Sequence, residues 1–221
     1  MSLIFVTATG TDVGKTYVTC ALIRALERAG KAVTALKPVI SGFDGHNAAA
    51  SDSGLILAAL GQPCDAPSIA AISPWRYAAP LSAEIAAERE GRGVSFDAVV
   101  GFCTEAARSP GVCLIEGVGG LMSPIDSSRT NRDLIAALKA RPLLVAGSYL
   151  GTVSHILTAL EALRAAGVEP LGIVISESQS SPVPLAELAV RLAAFTRAPI
   201  VTVGRDEEAP GALVEWCVAK A

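Results

Sequence analysis

The chain has 221 residues, 51% of them hydrophobic and 18% charged, a balance that supports one substantial core and argues against disorder. A net charge of −3 and a pI near 5.5 give no general attraction to nucleic acid or to an anionic membrane. Five widely spaced cysteines without a CxxC pair, and only two histidines, argue against a structural zinc site.

Residues 3–9 are a short β-branched run that predicts a buried strand, and a glycine-containing turn follows. From 16 to 29, Val18, Ala21, Leu22, Ala25, Leu26 and Ala29 recur at helical spacing, and Gly30 stands where a helix-terminating glycine belongs. The pattern repeats in kind: strand 32–37, helix 51–60, helix 96–107, then strand 112–116 running into Gly117-Val118-Gly119-Gly120. Helix 131–140, strand 142–147, helix 152–166, strand 171–176, helix 185–196 and strand 199–203 complete it. Such alternation predicts a single-domain α/β fold over 1–221. The sheet is expected to be doubly wound and mostly parallel, with helices on both faces. Residues 41–50 and 71–91 do not fit the alternation and read as loops, which at strand ends carry function in this class.

The apolar start, Met1 to Val6, has no basic segment and no small-residue cleavage site. No run approaches the ~20 apolar residues of a membrane span. A cytoplasmic location is expected, and a reducing compartment suits cysteines that sit mostly in apolar runs and read as buried thiols.

The segment Ala8-Thr9-Gly10-Thr11-Asp12-Val13-Gly14-Lys15-Thr16 follows a buried strand and opens an amphipathic helix, the context phosphate cradling requires. Gly14 lets backbone N–H groups approach a phosphate without a Cβ in the way. Lys15 would reach the β- and γ-phosphates of ATP, and the Thr16 hydroxyl would ligate Mg²⁺. The strict pattern GxxxxGK[ST] is not met, because Thr9 stands at its first glycine. Glu116 ends an apolar strand before a glycine cluster, where a carboxylate that holds Mg²⁺ is usually found. By residue type alone, Lys37 is equally a surface lysine at a strand end, and Asp52 a charge at a helix N-terminus.

Several segments in consistent order, from about residue 3 to 176, resemble the dethiobiotin synthetase family. They are the phosphate loop, Lys37-Pro38-Val39-Ile40-Ser41-Gly42, Ser51-Asp52, the proline-bearing stretch Pro74 to Ala83, Glu116-Gly117-Val118-Gly119-Gly120, and Leu150-Gly151-Thr152 with Ser154-His155. The resemblance implies an ATP- and Mg²⁺-dependent carboxylation of 7,8-diaminononanoate with CO₂. A carbamate and then a carbamic-phosphoric anhydride would form before the ring closes. It implies catalytic roles for Lys37, Lys15 and Thr11, and substrate contacts from Ser41, Leu150 and Gly151. Asp12, Val13, Gly14, Lys15, Thr16, Asp52, Glu116, Gly119, Ser176 and Glu177 would bind nucleotide. Thr16, Asp52 and Glu116 would surround the metal. A homodimer with the substrate across the subunit interface is also implied, the helix start at Leu150–Gly151–Thr152 receiving the substrate carboxylate of the neighbour.

The chain departs from the family pattern at Ala8, Gly10, Ser154, Ser176 and Val203-Gly204-Arg205-Asp206. The departures at 176 and 203–206 fall where the base would bind. A partition-type switch ATPase of the deviant-Walker group needs a lysine early in the loop, and none lies between Met1 and Gly14. An amidotransferase-type cobyrinate synthetase needs a further glutaminase domain, for which 221 residues leave no room unless a partner chain supplies it.

Overall fold

The structure is a computed structural model that describes residues 2–205 and 207–219; Met1, Asp206, Lys220 and Ala221 lie outside it. Six strands form the main sheet: β1 (Ser2–Ala8), β2 (Val33–Leu36), β5 (Val112–Glu116), β6 (Arg141–Gly147), β7 (Gly172–Ser176) and β8 (Ile200–Val203). Their order is β2-β5-β1-β6-β7-β8, and each adjacent pair runs parallel. Every residue of β5 and β7 is buried. Strands covered on both faces have no solvent side to alternate with, which is why they read as unbroken apolar runs.

Helix α1 (Lys15–Arg28) crosses from β1 to β2 and buries Val18, Leu22, Ile23 and Leu26. It ends at Gly30, whose φ of +70° suits a residue without a Cβ. The connection from β1 through α1 leads to one side of β1, and the chain leaving β5 passes to β6 on the other side. The crevice beyond the carboxyl ends of β1, β5 and β6 is therefore a topological switch point, where open α/β sheets bind ligands.

The stretches expected to be loops contain more structure than their sequence suggests. A second, two-stranded parallel sheet pairs β3 (Val39–Ser41) with β4 (Trp75–Tyr77). A 3-10 turn over Gly45–Ala50 leads to α2 (Asp52–Ala59), and α3 (Ala66–Ile72) and α4 (Ala83–Arg89) flank β4. Strands of three residues are too short to show a period, and their pairing partners lie far along the chain. A last helix, α9 (Gly211–Val218), lies beyond the final expected strand. The remaining helices are α5 (Phe96–Ala106), α6 (Asn131–Leu138), α7 (Thr152–Ala165) and α8 (Leu185–Ala193), each close to its expected span. No helix among the described residues is long and apolar enough to cross a membrane.

Candidate functional site

The phosphate loop joins β1 to α1 at the switch point. Asp12 takes a left-handed conformation with φ of 58°, which aspartate tolerates better than most residues. Gly14 is also left-handed, with φ of +94°, and a Cβ there would meet Ser176 Oγ at 2.3 Å. The loop is thus pressed against the end of β7. On its other side lies the glycine turn after β5: Gly117 N donates to Val6 O (3.0 Å) and Leu121 N to Ala8 O (2.7 Å). A Cβ on Gly120 would come within 3.2 Å of the Gly10 backbone. Gly119 has φ of +64°, and the Ser123 hydroxyl sits where its Cβ would be, 2.3 Å away. That hydroxyl accepts from Gly120 N at 2.7 Å and holds the turn in shape.

Three distant segments bring their charges together here. Lys37 leaves the end of β2, Asp52 opens α2 behind its N-cap Ser51, and Glu116 ends β5. The Lys37 ammonium lies 2.7 Å from Asp52 Oδ2 and 2.6 Å from Glu116 Oε1. It also donates to Gly117 O at 3.2 Å, so all three of its protons are engaged. Thr16 Oγ1 lies 2.9 Å from Asp52 Oδ1 and 2.8 Å from Glu116 Oε1. A hydroxyl has one proton, so one of these contacts sets oxygen against oxygen. Glu116 Oε2 is buried without a hydrogen-bond partner.

Such a cluster of hard oxygens, one orphaned and two crowded together, fits Mg²⁺. That ion uses one or two carboxylates and completes its shell with water and substrate phosphates. The described residues hold no cluster of three or more His, Cys, Asp and Glu side chains suited to a metal. The fit therefore rests on two carboxylates and a hydroxyl.

The electrostatics follow from burial and charge. Burial alone would pull Lys37 down, but the Glu116 and Asp52 carboxylates outweigh it and hold the ammonium above its ordinary value. Burial would raise Asp52, yet Lys37 and the Thr16 hydroxyl bring it below the usual carboxylate range. Lys15 has no carboxylate in contact and donates to Gly10 O at 3.2 Å. Burial, and then repulsion from Lys37, lower it to about 8.

These groups border a cavity of about 880 Å³. Thr11, Lys15, Thr16, Lys37, Ser41, Asp52 and Gly119 are among the residues that line it. Glu116 does not line it; fully buried, it contacts the lining residues Thr16 and Lys37. A neighbouring cavity of about 600 Å³ is lined by Val13, Ser176, Glu177 and Arg205, and shares Asp12, Gly14 and Tyr17 with the first. Residues expected to bind nucleotide thus divide between the two. Leu150 and Gly151 line neither; they precede α7, and Leu150 is 88% exposed. Asp206 of the same region lies outside the described residues.

Tyr17, Gln179, Ser82 and Ser123 also line these cavities without having been singled out from sequence. Tyr17 was within reach of such reading, since it follows Thr16 on the first turn of α1. Its hydroxyl lies within hydrogen-bond distance of Gly204 O (3.2 Å) and Glu207 O (2.7 Å), closing the second cavity. Ser82 lies in the proline-bearing stretch Pro74 to Ala83 that carries the resemblance; nothing in the sequence marks Gln179 or Ser123.

A parallel α/β sheet with a strand–loop–helix phosphate cradle at its switch point defines a P-loop nucleoside-triphosphate-binding protein. Comparison with known proteins agrees. The AAA domain family matches residues 2–205. The ATP-dependent dethiobiotin synthetase BioD of Caulobacter sp. (strain K31) is 49% identical over 223 residues, covering 99% of this chain and 95% of that one. The corresponding protein of Methylobacterium nodulans is 44% identical, covering 93% and 94%. That of Acidiphilium cryptum is 46% identical, covering 84% of each. The chain belongs to the ATP-dependent dethiobiotin synthetase family. Among solved structures, the signal recognition particle receptor FtsY of Elizabethkingia anophelis aligns at a TM-score of 0.49 and 14% identity, too distant to bear on function.

Proposed function

We propose that the protein is an ATP-dependent cyclo-ligase that carboxylates 7,8-diaminononanoate with CO₂ and closes it to dethiobiotin. The observation that carries this reading is a single cavity lined by Gly14, Lys15 and Thr16 of the phosphate cradle together with Lys37, Thr11 and Ser41. A phosphate donor and a small nucleophile would meet there.

One amine of the diamine adds to CO₂, giving a carbamate and releasing a proton. A carbamate oxygen attacks the γ-phosphorus of ATP, the bond to ADP breaks, and a carbamic-phosphoric anhydride forms. The second amine then attacks the carbonyl carbon, phosphate leaves, a proton is lost and the cyclic urea closes. An anionic carbamate facing an anionic phosphate needs cations and close positioning. Lys15 would neutralise the β- and γ-phosphates from the loop. Lys37 would serve the carbamate by exchanging one of its three acceptors. Asp52, whose side chain is 39% exposed, is the one most readily rehydrated. Thr11 and Ser41 would orient the amine or its carbamate. Thr16, Asp52 and Glu116 would hold Mg²⁺, which when bound offsets charge on the phosphate oxygens. Ser176 and Glu177 would border the base.

The chain would act as one domain in a homodimer. Gly151 caps α7 without a side-chain hydrogen bond; Thr152 N donates to Tyr149 O, and the N–H groups that follow it in the first turn would receive a carboxylate from the neighbouring subunit's substrate.

The test is phosphate release with ATP, Mg²⁺ and bicarbonate, with and without 7,8-diaminononanoate. Release that requires the diamine and yields a product of cyclic-urea mass supports the reading. Release indifferent to the diamine refutes it and favours a switch ATPase.

A further inference from the structure

We propose that Asn131 is a positioning residue for the reaction. It holds the peptide between Val118 and Gly119 so that the Gly119 N–H is presented to the reacting oxygens; the inference rests on the dethiobiotin synthetase reading above. Asn131 stands at the start of α6, but its side chain takes no part in capping that helix. Asp133 does so instead, accepting from Thr130 N at 2.7 Å. Asn131 is only 1% exposed, and burying an amide lowers stability unless it is hydrogen-bonded. Both protons of its amide go to the glycine turn after β5: Nδ2 donates to Val118 O at 2.7 Å and to Gly120 O at 2.8 Å.

The ends of that turn are anchored without Asn131. Gly117 N donates to Val6 O, Leu121 N to Ala8 O, and Gly120 N to Ser123 Oγ. The peptide between Val118 and Gly119 has a single tie among the described residues, the bond from Asn131 to its carbonyl. Its N–H has no hydrogen-bond partner among them. In a trans peptide the C=O and N–H point in opposite directions, and the described residues contain no cis bond. A carbonyl turned to the buried Asn131 therefore aims the Gly119 N–H the other way. Val118 and Gly119 line the phosphate-loop cavity and Asn131 does not. On the next peptide back, Gly117 O accepts from Lys37 at 3.2 Å, so the lysine and this N–H serve the same cavity from one turn. Gly119 has φ of +64°, and glycine adopts either sign of φ at little cost. Without Asn131 this peptide can turn over and withdraw its N–H. A donor fixed in advance stabilises developing negative charge without reorganising during the reaction.

The test measures diamine-dependent phosphate release by the full chain in Asn131→Ala and Asn131→Ser, well below each variant's melting temperature and per folded molecule by circular dichroism. In Asn131→Ala, kcat is expected to fall roughly thirtyfold, less than the loss on deleting such a donor outright because the freed peptide still visits its working orientation. KM for ATP and for the diamine should each stay within about threefold, since the phosphate loop and the rest of the cavity keep their anchors. Asn131→Ser is shorter and has one proton, so it cannot hold both carbonyls; it keeps a polar group in the core and decides the matter if the alanine variant does not fold. Its kcat should fall by more than about threefold. A lower melting temperature with kcat within about threefold of the wild type overturns the proposal, because Asn131 is then only a structural tie. So does a rise in either KM as steep as the fall in kcat, the mark of a cavity displaced as a whole. Wild-type release indifferent to the diamine would be a different result: the functional reading itself falls and takes this proposal with it.

Discussion

Replacing Lys37 by methionine removes the cation that contacts both Asp52 and Glu116. Its side chain is 3% exposed, and that of Glu116, 2.6 Å away, is 0% exposed. Glu116 already has one oxygen without a partner, so the substitution leaves a fully buried carboxylate without its compensating charge. Breaking a buried pair from one side costs about 3–5 kcal/mol. Asp52, partly exposed, can recover water and adds little to that. For a chain of this size, each kcal/mol moves the melting temperature by about 2–4 °C, so Lys37→Met should melt roughly 10 °C lower. Removing the second charge as well should restore most of the loss: Lys37→Met/Glu116→Gln leaves only the partly exposed Asp52 without its partner and no fully buried ion unpaired, and the two effects are strongly non-additive. Neither variant should turn over substrate. Urea unfolding of the wild type, both single variants and the double variant measures the coupling, provided the slope with denaturant is constant across the set. If Lys37→Met loses less than about 1 kcal/mol, or if the double variant is no more stable than the single, the cluster is not the buried, mutually dependent pair described above.

Three other outcomes are expected. Without nucleotide, folding disfavours the Lys15 cation, whose value is lowered to about 8 by burial and by Lys37. The penalty is fully present below about pH 8 and relieved as pH rises towards the free-lysine value. Lys15→Met should therefore be about 1–2 kcal/mol more stable than the wild type at pH 7, after allowing for its lost bond to Gly10 O. A bound triphosphate favours the cation again, so ATP binding at pH 8 should take up about half a proton, seen as a dependence of calorimetric enthalpy on buffer ionisation. The uptake should vanish at pH 6 and in Lys15→Met; uptake unchanged in that variant would refute the assignment. Gly14→Ala forces a β-carbon into φ of +94° and to within 2.3 Å of Ser176 Oγ. ATP affinity should fall at least about tenfold, a loss to be read by calorimetry. Of the five cysteines only Cys64 is exposed, while burial pushes the Cys20, Cys103 and Cys217 thiols up to about 12 and that of Cys113 to about 11. A thiol reagent should titrate one group in the native protein and the other four only after unfolding.

The long elements were legible from local pattern alone. Helix α1 shows its apolar stripe within fourteen residues, and β5 and β7 are continuous apolar runs because both their faces are covered. The phosphate loop was legible for a similar reason: strand, glycine turn and helix start are contiguous, and the anion-binding geometry is a local property of a helix N-terminus. Resemblance to a family raised Lys37, Ser41 and Asp52 above their ordinary readings, since residue type did not distinguish a buried lysine from a surface one. What no local pattern encodes is which distant residues meet. The short strands β3 and β4 exist only because residues 39–41 find residues 75–77. Lys37, Asp52 and Glu116 come from three separate elements, and only their packing engages all three lysine protons and leaves Glu116 Oε2 alone. The chain's local chemistry determined the scaffold and the cradle. Tertiary packing decided the electrostatics of the site, because charge energies depend on distance and burial, which are set between elements and not within them.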